Sequence, residues 1–330
     1  MLKRTLLGAL AALAVAVAAA PPAQAQARGP NAFDFVAFGD MPYAIPGDYP
    51  KLERLIAAIN RQQPPFTVFV GDIKGGSTPC TDAAMQKVYD MWTAFEGPLM
   101  YSIGDNEWTD CHRPKAGGYD PLERLAKVRE MFFAHPEMSL GGHPMPVESE
   151  AKVFPDKFAT YVENQRWSKN GVLFATVHIP GSNNDFEAFN PKTAMEYFQR
   201  NAANIAWIDD TFARAKASGA KAVVLAWQAA VYDIRQGEPE MPRASGFYQT
   251  VEAVARGAKA FGHPGLVIHG DNHEFEVNRF LDTKMKPIPM VTRLEVMGAS
   301  AVHAVRVSVD PDSPGVWGFT PLIVPENGAY

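Results

Sequence analysis

Short apolar runs alternate with helically spaced apolar residues along most of this chain. Runs of five to eight mainly apolar residues predict β-strands, and most of them end at a glycine or a polar residue. The predicted strands are Phe33–Phe38, Phe66–Val70, Leu99–Ile103, Val172–His178, Ala222–Trp227, Gly265–His269 and Val302–Val309. Apolar residues at helical spacing predict the segments between them to be helical. The predicted helices are a segment containing Leu52, Leu55, Ile56 and Ile59, then Met85–Phe95, Leu122–Phe133, Ala194–Ala217 and Tyr248–Phe261.

This alternation predicts an α/β fold in which central β-sheet layers are flanked by helices. Residues 28–330 are interpreted as a single domain. The stretch at about 114–170 differs, because it is rich in Gly, Pro and His and has weak periodicity. Apart from the helix near Leu122, we predict that it is an irregular insertion.

The first 27 residues have the composition of a signal peptide. Lys3 and Arg4 precede an apolar run of about 15 residues, which is short for a membrane span, and Ala23-Gln24-Ala25 fits a cleavage site. An uncleaved membrane anchor is the alternative. We expect a periplasmic or secreted protein with no stable membrane anchor after cleavage.

Composition narrows the function classes. The chain has 330 residues, of which 47% are hydrophobic and 20% charged, and these are globular values. The net charge of -5 argues against general affinity for nucleic acid or anionic membranes. Its two cysteines, Cys80 and Cys111, are a candidate disulfide in an oxidising compartment. The sequence does not indicate an oligomeric state.

Acidic residues follow several predicted strands directly. Gly39-Asp40, Gly71-Asp72 and Gly104-Asp105 end the first three, and Gly270-Asp271-Asn272-His273 follows a later one. Because ligands bind at the carboxyl ends of strands in open α/β sheets, we expect these loops to form one site. Gathered carboxylates repel one another unless a cation neutralises them, so the pattern predicts a metal site. The alternative is that each aspartate caps a turn or helix.

At these residues the chain resembles the calcineurin-like metallophosphoesterases, from about Phe33 to Phe275. That family carries Asp-x-His, Gly-Asp, Gly-Asn-His-Asp/Glu, a lone His and Gly-His-x-His, in this order. Here Asp72 is intact, but the first histidine falls on Pro42 and the catalytic histidine on Asn106. The lone histidine falls on Trp227 or, with a slip of one residue, on Gln228.

The resemblance implies one or two divalent metal ions. We predict six metal ligands: Asp40, Asp72, Asp105, Asp271, His273 and Gln228. In this assignment Asp40, Asp72 and His273 hold one ion, and Asp72, Asp105 and Asp271 hold a second. Such an oxygen-rich set suits Mn²⁺, Mg²⁺ or Ca²⁺, whereas the family's imidazoles suit Zn²⁺ or iron. The two cysteines follow Asp72 and Asp105, whose loops should be neighbours, which favours their pairing.

Catalytic and substrate-binding roles are predicted for six further residues. The catalytic candidates are Asn106, Glu107 and His269, and the substrate-binding candidates are His178, Asn183 and Asn184. The resemblance implies hydrolysis of a small phosphoric ester by a metal-bound hydroxide. Protonation of the leaving group is then assigned to His112, His178 or His269, since an amide at position 106 is not an acid. Because about four of the family's imidazoles are lost, a non-catalytic metal- or phosphate-binding descendant is the alternative function.

Overall fold

The computed structural model describes residues 28–232 and 240–328. The predicted signal peptide lies outside the described residues. Twelve strands are present in this part of the chain: β1 (Phe33–Phe38), β2 (Thr67–Phe69), β3 (Leu99–Tyr101), β4 (Glu148–Ser149), β5 (Gln165–Lys169), β6 (Val172–Thr176), β7 (Ala222–Ala226), β8 (Gly265–His269), β9 (Glu276–Leu281), β10 (Pro287–Glu295), β11 (Ala304–Val309) and β12 (Trp317–Leu322).

Helices and helical turns connect the strands. They are α1 (Tyr49–Gln62), α2 (Asp82–Trp92), α3 (Pro121–Phe132), α4 (Glu150–Val153), α5 (Pro155–Phe158), the single turn α6 (Gly181–Asn184), α7 (Pro191–Ser218) and α8 (Tyr248–Phe261). Short 3₁₀ segments lie at Thr109–His112, Pro114–Ala116 and Pro325–Asn327. None of the described helices is both long and apolar enough to cross a membrane.

The strands form two sheets that pack face to face. One sheet has five strands in the order β12-β11-β1-β2-β3, and the other has seven in the order β4-β5-β6-β7-β8-β10-β9. Strands β1, β2 and β3 are parallel, as are β6, β7, β8 and β10. The two sheets and their flanking helices confirm the predicted α/β architecture.

The central strands of each sheet are buried on both faces, which explains their nearly continuous apolar runs. In β1, Phe35 and Ala37 belong to the core between the sheets. Val36 and Phe38 pack in a second core with α1, α2 and α3. The seven-stranded sheet also lies between two cores, because a third core lies between it and the helices α7 and α8. Successive side chains of a strand point to opposite faces, so a strand between two cores must be apolar at every position.

The region predicted as an irregular insertion is more ordered than its periodicity suggests. It contains α3, close to the predicted helix, but it also supplies β4 and β5 to the edge of the seven-stranded sheet. In β5, Arg166 is buried and contacts Glu148 and Asp210. A buried, ion-paired arginine in a strand gives no apolar alternation, so the pattern did not reveal this strand.

The predicted Cys80–Cys111 disulfide is confirmed. Its Cα atoms lie 5.8 Å apart, and both side chains are fully buried. Cys111 lies in the 3₁₀ segment that follows the Asp105 loop, and Cys80 lies just before α2. The bridge therefore connects the segments that follow two of the predicted metal-binding loops.

Removing this bridge should destabilise the protein. Cys80→Ala with Cys111→Ala opens a loop with a sequence separation of 31 residues, for which chain entropy predicts a loss of about 3 kcal/mol. Urea unfolding of the oxidised parent and the double variant measures the difference. Native exported protein that reacts with two equivalents of a thiol reagent without prior reduction would contradict the assignment.

Candidate functional site

The predicted metal-binding loops converge on one cavity. Asp40, Asp72 and Asp105 follow β1, β2 and β3, and Asp271 follows β8. Asp72, Asp105, Asp271 and His273 line a cavity of about 750 Å³, and Asp40 lies directly beneath it with no exposed surface. The carboxyl ends of strands from both sheets thus meet here, as the sequence predicts.

Several of these side chains are held by a backbone conformation that non-glycine residues rarely adopt. The φ angles are positive at Asp40 (53°), Asp72 (63°), Asp271 (81°) and His273 (69°). Each such residue costs on the order of 1 kcal/mol or more, and strain of this kind clusters at functional sites. Four strained predicted ligands around one cavity favour a functional role over four independent turns.

Two glycines let the backbone approach these carboxylates closely. A Cβ atom on Gly104 would lie 2.2 Å from Oδ1 of Asp72, and one on Gly270 would lie 1.8 Å from Oδ2 of Asp40. Neither position accommodates a side chain unless the carboxylate moves. The glycine before Asp105 and Asp271 is therefore required for close packing within the site.

Asp72 accepts three hydrogen bonds from neighbouring groups. The Tyr43 hydroxyl donates to its Oδ2 at 2.5 Å, and the Asn106 side-chain amide donates to the same oxygen at 2.6 Å. The backbone N–H of Asn106 donates to Oδ1 at 3.1 Å. Tyr43 is a site residue that the sequence analysis missed, although it lies only three residues after Asp40.

Gln228 is placed differently from an oxygen ligand. Its Oε1 accepts a hydrogen bond from the backbone N–H of Gly181 at 2.5 Å. Because that partner can only donate, the amide orientation is fixed, and Nε2 faces Asp271 at 3.3 Å and Asp40 at 3.5 Å. Gln228 therefore donates hydrogen bonds to Asp271 and Asp40, and its oxygen faces Gly181 instead of the cavity.

The electrostatics of the cavity are dominated by burial of like charges. Burial and the charge of Asp271 raise the pKa of Asp40, and burial with the charges of Asp105 and Glu107 raises that of Asp72. The pKa of Asp271 rises to about 6, first because of burial and then because of Asp105. No described Lys or Arg lies within ion-pairing distance of Asp40, Asp72, Asp105 or Asp271. In the absence of a cation, this cavity retains protons at mildly acidic pH.

Three other predicted residues are buried away from the cavity. His178 Nδ1 lies 2.8 Å from Glu163, and burial lowers the pKa of this imidazole to about 4. His269 is also buried, and its pKa falls to about 3. Glu107 accepts hydrogen bonds from the Tyr101 hydroxyl and the backbone N–H of Ile73. None of the three lines the cavity, so none is placed to contact a substrate there.

The two asparagines of α6 are separated by their positions. Asn183 lines the cavity, whereas Asn184 is buried and donates to the carbonyl oxygen of Gly246. The exposed His112, the remaining imidazole proposed to protonate the leaving group, has its Nδ1 2.6 Å from the carbonyl oxygen of Thr109. It does not line the cavity either. Of the predicted catalytic and substrate-binding residues, Asn106 and Asn183 reach the cavity.

Ser182, Asp110 and Arg113 also line the cavity and were not predicted as site residues. Ser182 has the wrong sequence context for a hydrolase nucleophile, yet its Oγ lies 2.7 Å from Asp105 and 2.8 Å from Asp110. Arg113 forms an ion pair with Asp110 at 2.5 Å. All three come from short helical turns or loops, where periodicity gives no signal. Only their closeness in sequence to Asp105 or Asn183 could have indicated them.

Whether these residues fit a metal ion depends on the atoms considered. Within residues 28–232 and 240–328, no three His, Cys, Asp or Glu side chains are arranged to hold one. The Tyr43 hydroxyl adds a third kind of donor atom. Its oxygen lies 3.2 Å from Nε2 of His273 and 3.5 Å from Oδ1 of Asp40. The distance between Nε2 of His273 and Oδ1 of Asp40 is 3.7 Å. Ligands of one metal ion commonly lie about 3.0 to 3.5 Å apart. The 3.7 Å separation exceeds this range, so these three atoms lie near one possible ion position without forming a complete set of ligands. Among the described residues the imidazole-rich pair of sites is not present.

Solved structures with the same architecture include a dimetal phosphatase from Danio rerio, with 12% identity and a TM-score of 0.50 over 88% of this chain and 98% of that chain. GAP50, described as the anchor in the inner membrane complex of Plasmodium, has 11% identity and a TM-score of 0.48 over 89% of both chains. A purple acid phosphatase from yellow lupin has 12% identity and a TM-score of 0.46 over 90% of this chain and 55% of that chain. No family model matches this sequence, and no curated protein matches it.

Neutralising Asp271 should stabilise the metal-free protein in a pH-dependent way. Since the folded-state pKa of Asp271 is raised from 3.8 to about 6, its charged form costs stability progressively as pH rises through this range. Asp271→Asn should therefore gain stability relative to the parent, by about 1 to 2 kcal/mol more at pH 7.5 than at pH 5. Urea unfolding in chelator measures this difference.

The exposed Asp156, which lies outside the cavity, provides the matched control as Asp156→Asn. Its stability difference from the parent should change little over the same pH range. A difference for Asp271→Asn that does not vary with pH would contradict the electrostatic account of the cavity.

Proposed function

We propose that this chain, which has the calcineurin-like metallophosphoesterase fold, binds a divalent metal ion in its cavity and hydrolyses phosphoric esters. The observation that carries this proposal is the grouping of Asp40, Tyr43 and His273 beside three further carboxylates. Of these, Asp72 and Asp105 are buried and Asp271 is partly buried. These carboxylates lack Lys or Arg partners among the described residues. A cation would remove the repulsion that helps to raise the pKa values of Asp40, Asp72 and Asp271.

Asp40, Tyr43 and His273 are the residues that would hold the ion, with Asp72 next to them. A divalent ion supplies positive charge and lowers the pKa of a water molecule, which provides a nucleophile near neutral pH. Two carboxylates, one phenol and one imidazole would supply mainly oxygen donors. Such a set favours Mn²⁺, Mg²⁺ or Ca²⁺. We propose one ion, since the three-atom set accounts for a single position.

The side chains around this position limit the esters that can react. Asn106 occupies the place of the family's catalytic histidine, and its amide hydrogens are directed to Asp72 and Tyr43. It cannot act as an acid toward a leaving group. Because His178 and His269 are buried outside the cavity lining, no histidine predicted for this task is in place. We therefore propose that substrates have leaving groups that depart as stable anions.

Hydrogen bonding to Asp72 favours the alternative function. Both of its oxygens already accept hydrogen bonds from protein donors, as expected of a site that is complete without a metal ion. A non-catalytic phosphate-binding protein with the same fold would have this arrangement. Turnover, measured together with metal binding, distinguishes the two functions.

Export is part of the proposal. A buried disulfide near the site and the composition of the first 27 residues both favour an oxidising compartment outside the cytoplasm. Purification from that compartment is therefore the appropriate source of protein for metal analysis.

Replacing Asp72 or Tyr43 should reduce metal binding. The parent should bind about one Mn²⁺ per chain and show a higher thermal midpoint with Mn²⁺ than with chelator. Asp72→Asn and Tyr43→Phe each remove one oxygen atom at or beside the proposed metal site. We therefore expect Mn²⁺ binding at least tenfold weaker than in the parent, with a matching loss of aryl phosphate hydrolysis. The metal-free thermal midpoint should stay level or rise in Asp72→Asn, since one clustered charge is removed.

Asp156→Asn removes the same charge from an exposed position and should bind Mn²⁺ like the parent. Equal metal content in the parent and Asp72→Asn would argue against the metal site. Metal binding without turnover of aryl phosphate monoesters and diesters would favour the non-catalytic alternative.

A further inference from the structure

The cavity has two chemically different parts. Its acidic part is formed by the aspartates described above, and it also contains one guanidinium, that of Arg113. Among the described residues that line the cavity, Arg113 is the only lysine or arginine. A second part of the lining is apolar and consists of Val231, Met241, Pro242 and Phe247. A ligand that fills this cavity therefore meets one strong hydrogen-bond donor and one hydrocarbon surface.

Arg113 keeps donor capacity beyond its contacts within the protein. Nη1 pairs with Asp110 at 2.5 Å, and Nη2 donates weakly to Ser182 at 3.5 Å. A guanidinium carries five N–H groups, and the side chain remains 47% exposed. Its planar fork matches two oxygens of a phosphate group, a geometry that a lysine ammonium does not reproduce.

Gly76 brings the guanidinium against the floor of the cavity. A Cβ atom at this position would lie 2.7 Å from Oδ1 of Asn106 and 3.0 Å from Nη1 of Arg113. The absence of a side chain at Gly76 thus allows Arg113 to lie beside Asn106, which in turn contacts Asp72. An anion bound by Arg113 would therefore lie next to the proposed metal-binding residues.

The apolar part of the lining lies close to Asp271. The backbone N–H of Ala230 donates to Asp271 at 2.8 Å, and Val231 is the next residue. Val231, Met241 and Phe247 are each at least 95% buried, yet all three contribute to the cavity wall. Little of their own surface is accessible, so the exposed Pro242 also contributes to this hydrocarbon wall, which suits an apolar group on a ligand.

We propose that the site takes organophosphates with an apolar or aromatic group. In this arrangement Arg113 binds the phosphoryl oxygens, and Val231, Met241 and Phe247 pack against the hydrocarbon. Both the binding and the turnover of such an anionic ligand rest on the proposed function, because the metal ion would offset the carboxylates that surround Arg113, and the two are measured separately. Aromatic alcohols are also good leaving groups, which agrees with the lack of an acid at position 106.

Non-hydrolysable phosphonates test binding separately from catalysis. Titration calorimetry of the full protein with phenylphosphonate and methylphosphonate, in Mn²⁺ and in chelator, gives four dissociation constants. Phenylphosphonate should bind about tenfold more tightly than methylphosphonate, because its ring contacts the apolar lining. Equal affinity for the two ligands would overturn the apolar part of the proposal without requiring any variant.

Variants at position 113 test the guanidinium. Arg113→Gln should weaken both phosphonates about tenfold or more, and Arg113→Lys should restore only part of this loss, since it keeps the charge but not the fork. Lys115→Gln removes an equal charge from an exposed position two residues away and should bind like the parent. Parent-like affinity in Arg113→Gln would overturn the assignment, as would full recovery in Arg113→Lys, which would reduce its role to neutralising Asp110.

Phe247→Ala should abolish the preference for phenylphosphonate while leaving methylphosphonate affinity unchanged. A retained preference would contradict the packing assigned to Phe247. If the parent binds both ligands as expected but hydrolyses no aryl ester, the binding proposal stands and the proposed function fails. If it hydrolyses aryl esters with an affinity that does not depend on Arg113, the proposed function stands and the binding proposal fails.

Discussion

Repulsion among four carboxylates, three of them buried and one partly buried, is the constraint on which the site depends. Asp40, Asp72, Asp105 and Asp271 lie together at the carboxyl ends of strands from both sheets, and no described Lys or Arg pairs with them. The fold holds them by strained backbone, by glycines that permit close approach and by donors such as Tyr43. Such an arrangement costs stability unless protons or a cation neutralise it, and the strain is then explained by function.

The surrounding architecture fixes the positions of the loops that carry these aspartates. Helices cover the outer faces of both sheets, so the central strands that lead into these loops are buried and their ends are fixed. The Cys80–Cys111 bridge connects segments that follow Asp72 and Asp105. The same 3₁₀ segment that contains Cys111 also carries Asp110 and leads into Arg113. The disulfide thus ties the proposed phosphate-binding arginine to the rigid part of the domain.

Sequence patterns predicted the parts of the fold that are buried on both sides. The bounds of β1, β8 and α8 agree with the predictions, whereas the edge strands β9 and β12, and β10 with its prolines, were not predicted. β9 is mostly exposed, and β10 contains Pro287 and Pro289, so neither has the apolar pattern of a strand. The aspartates were found because they follow apolar strands, while Tyr43 and Arg113 lie in loops without a pattern. His178 lies outside the cavity because Glu163, which is distant in sequence, contacts it in the interior. His269 lies outside it because it is the last residue of the fully buried strand β8.

Proton release on metal binding tests the central claim most directly. If a cation takes over the neutralisation of these carboxylates, its binding must displace the protons that they retain. Calorimetric titration of the metal-free protein with Mn²⁺ at pH 6, in buffers of different ionisation enthalpy, counts these protons. The account predicts about one Mn²⁺ per chain with release of at least about one proton for each ion bound. Absence of binding, or a binding enthalpy that is the same in every buffer, would contradict it.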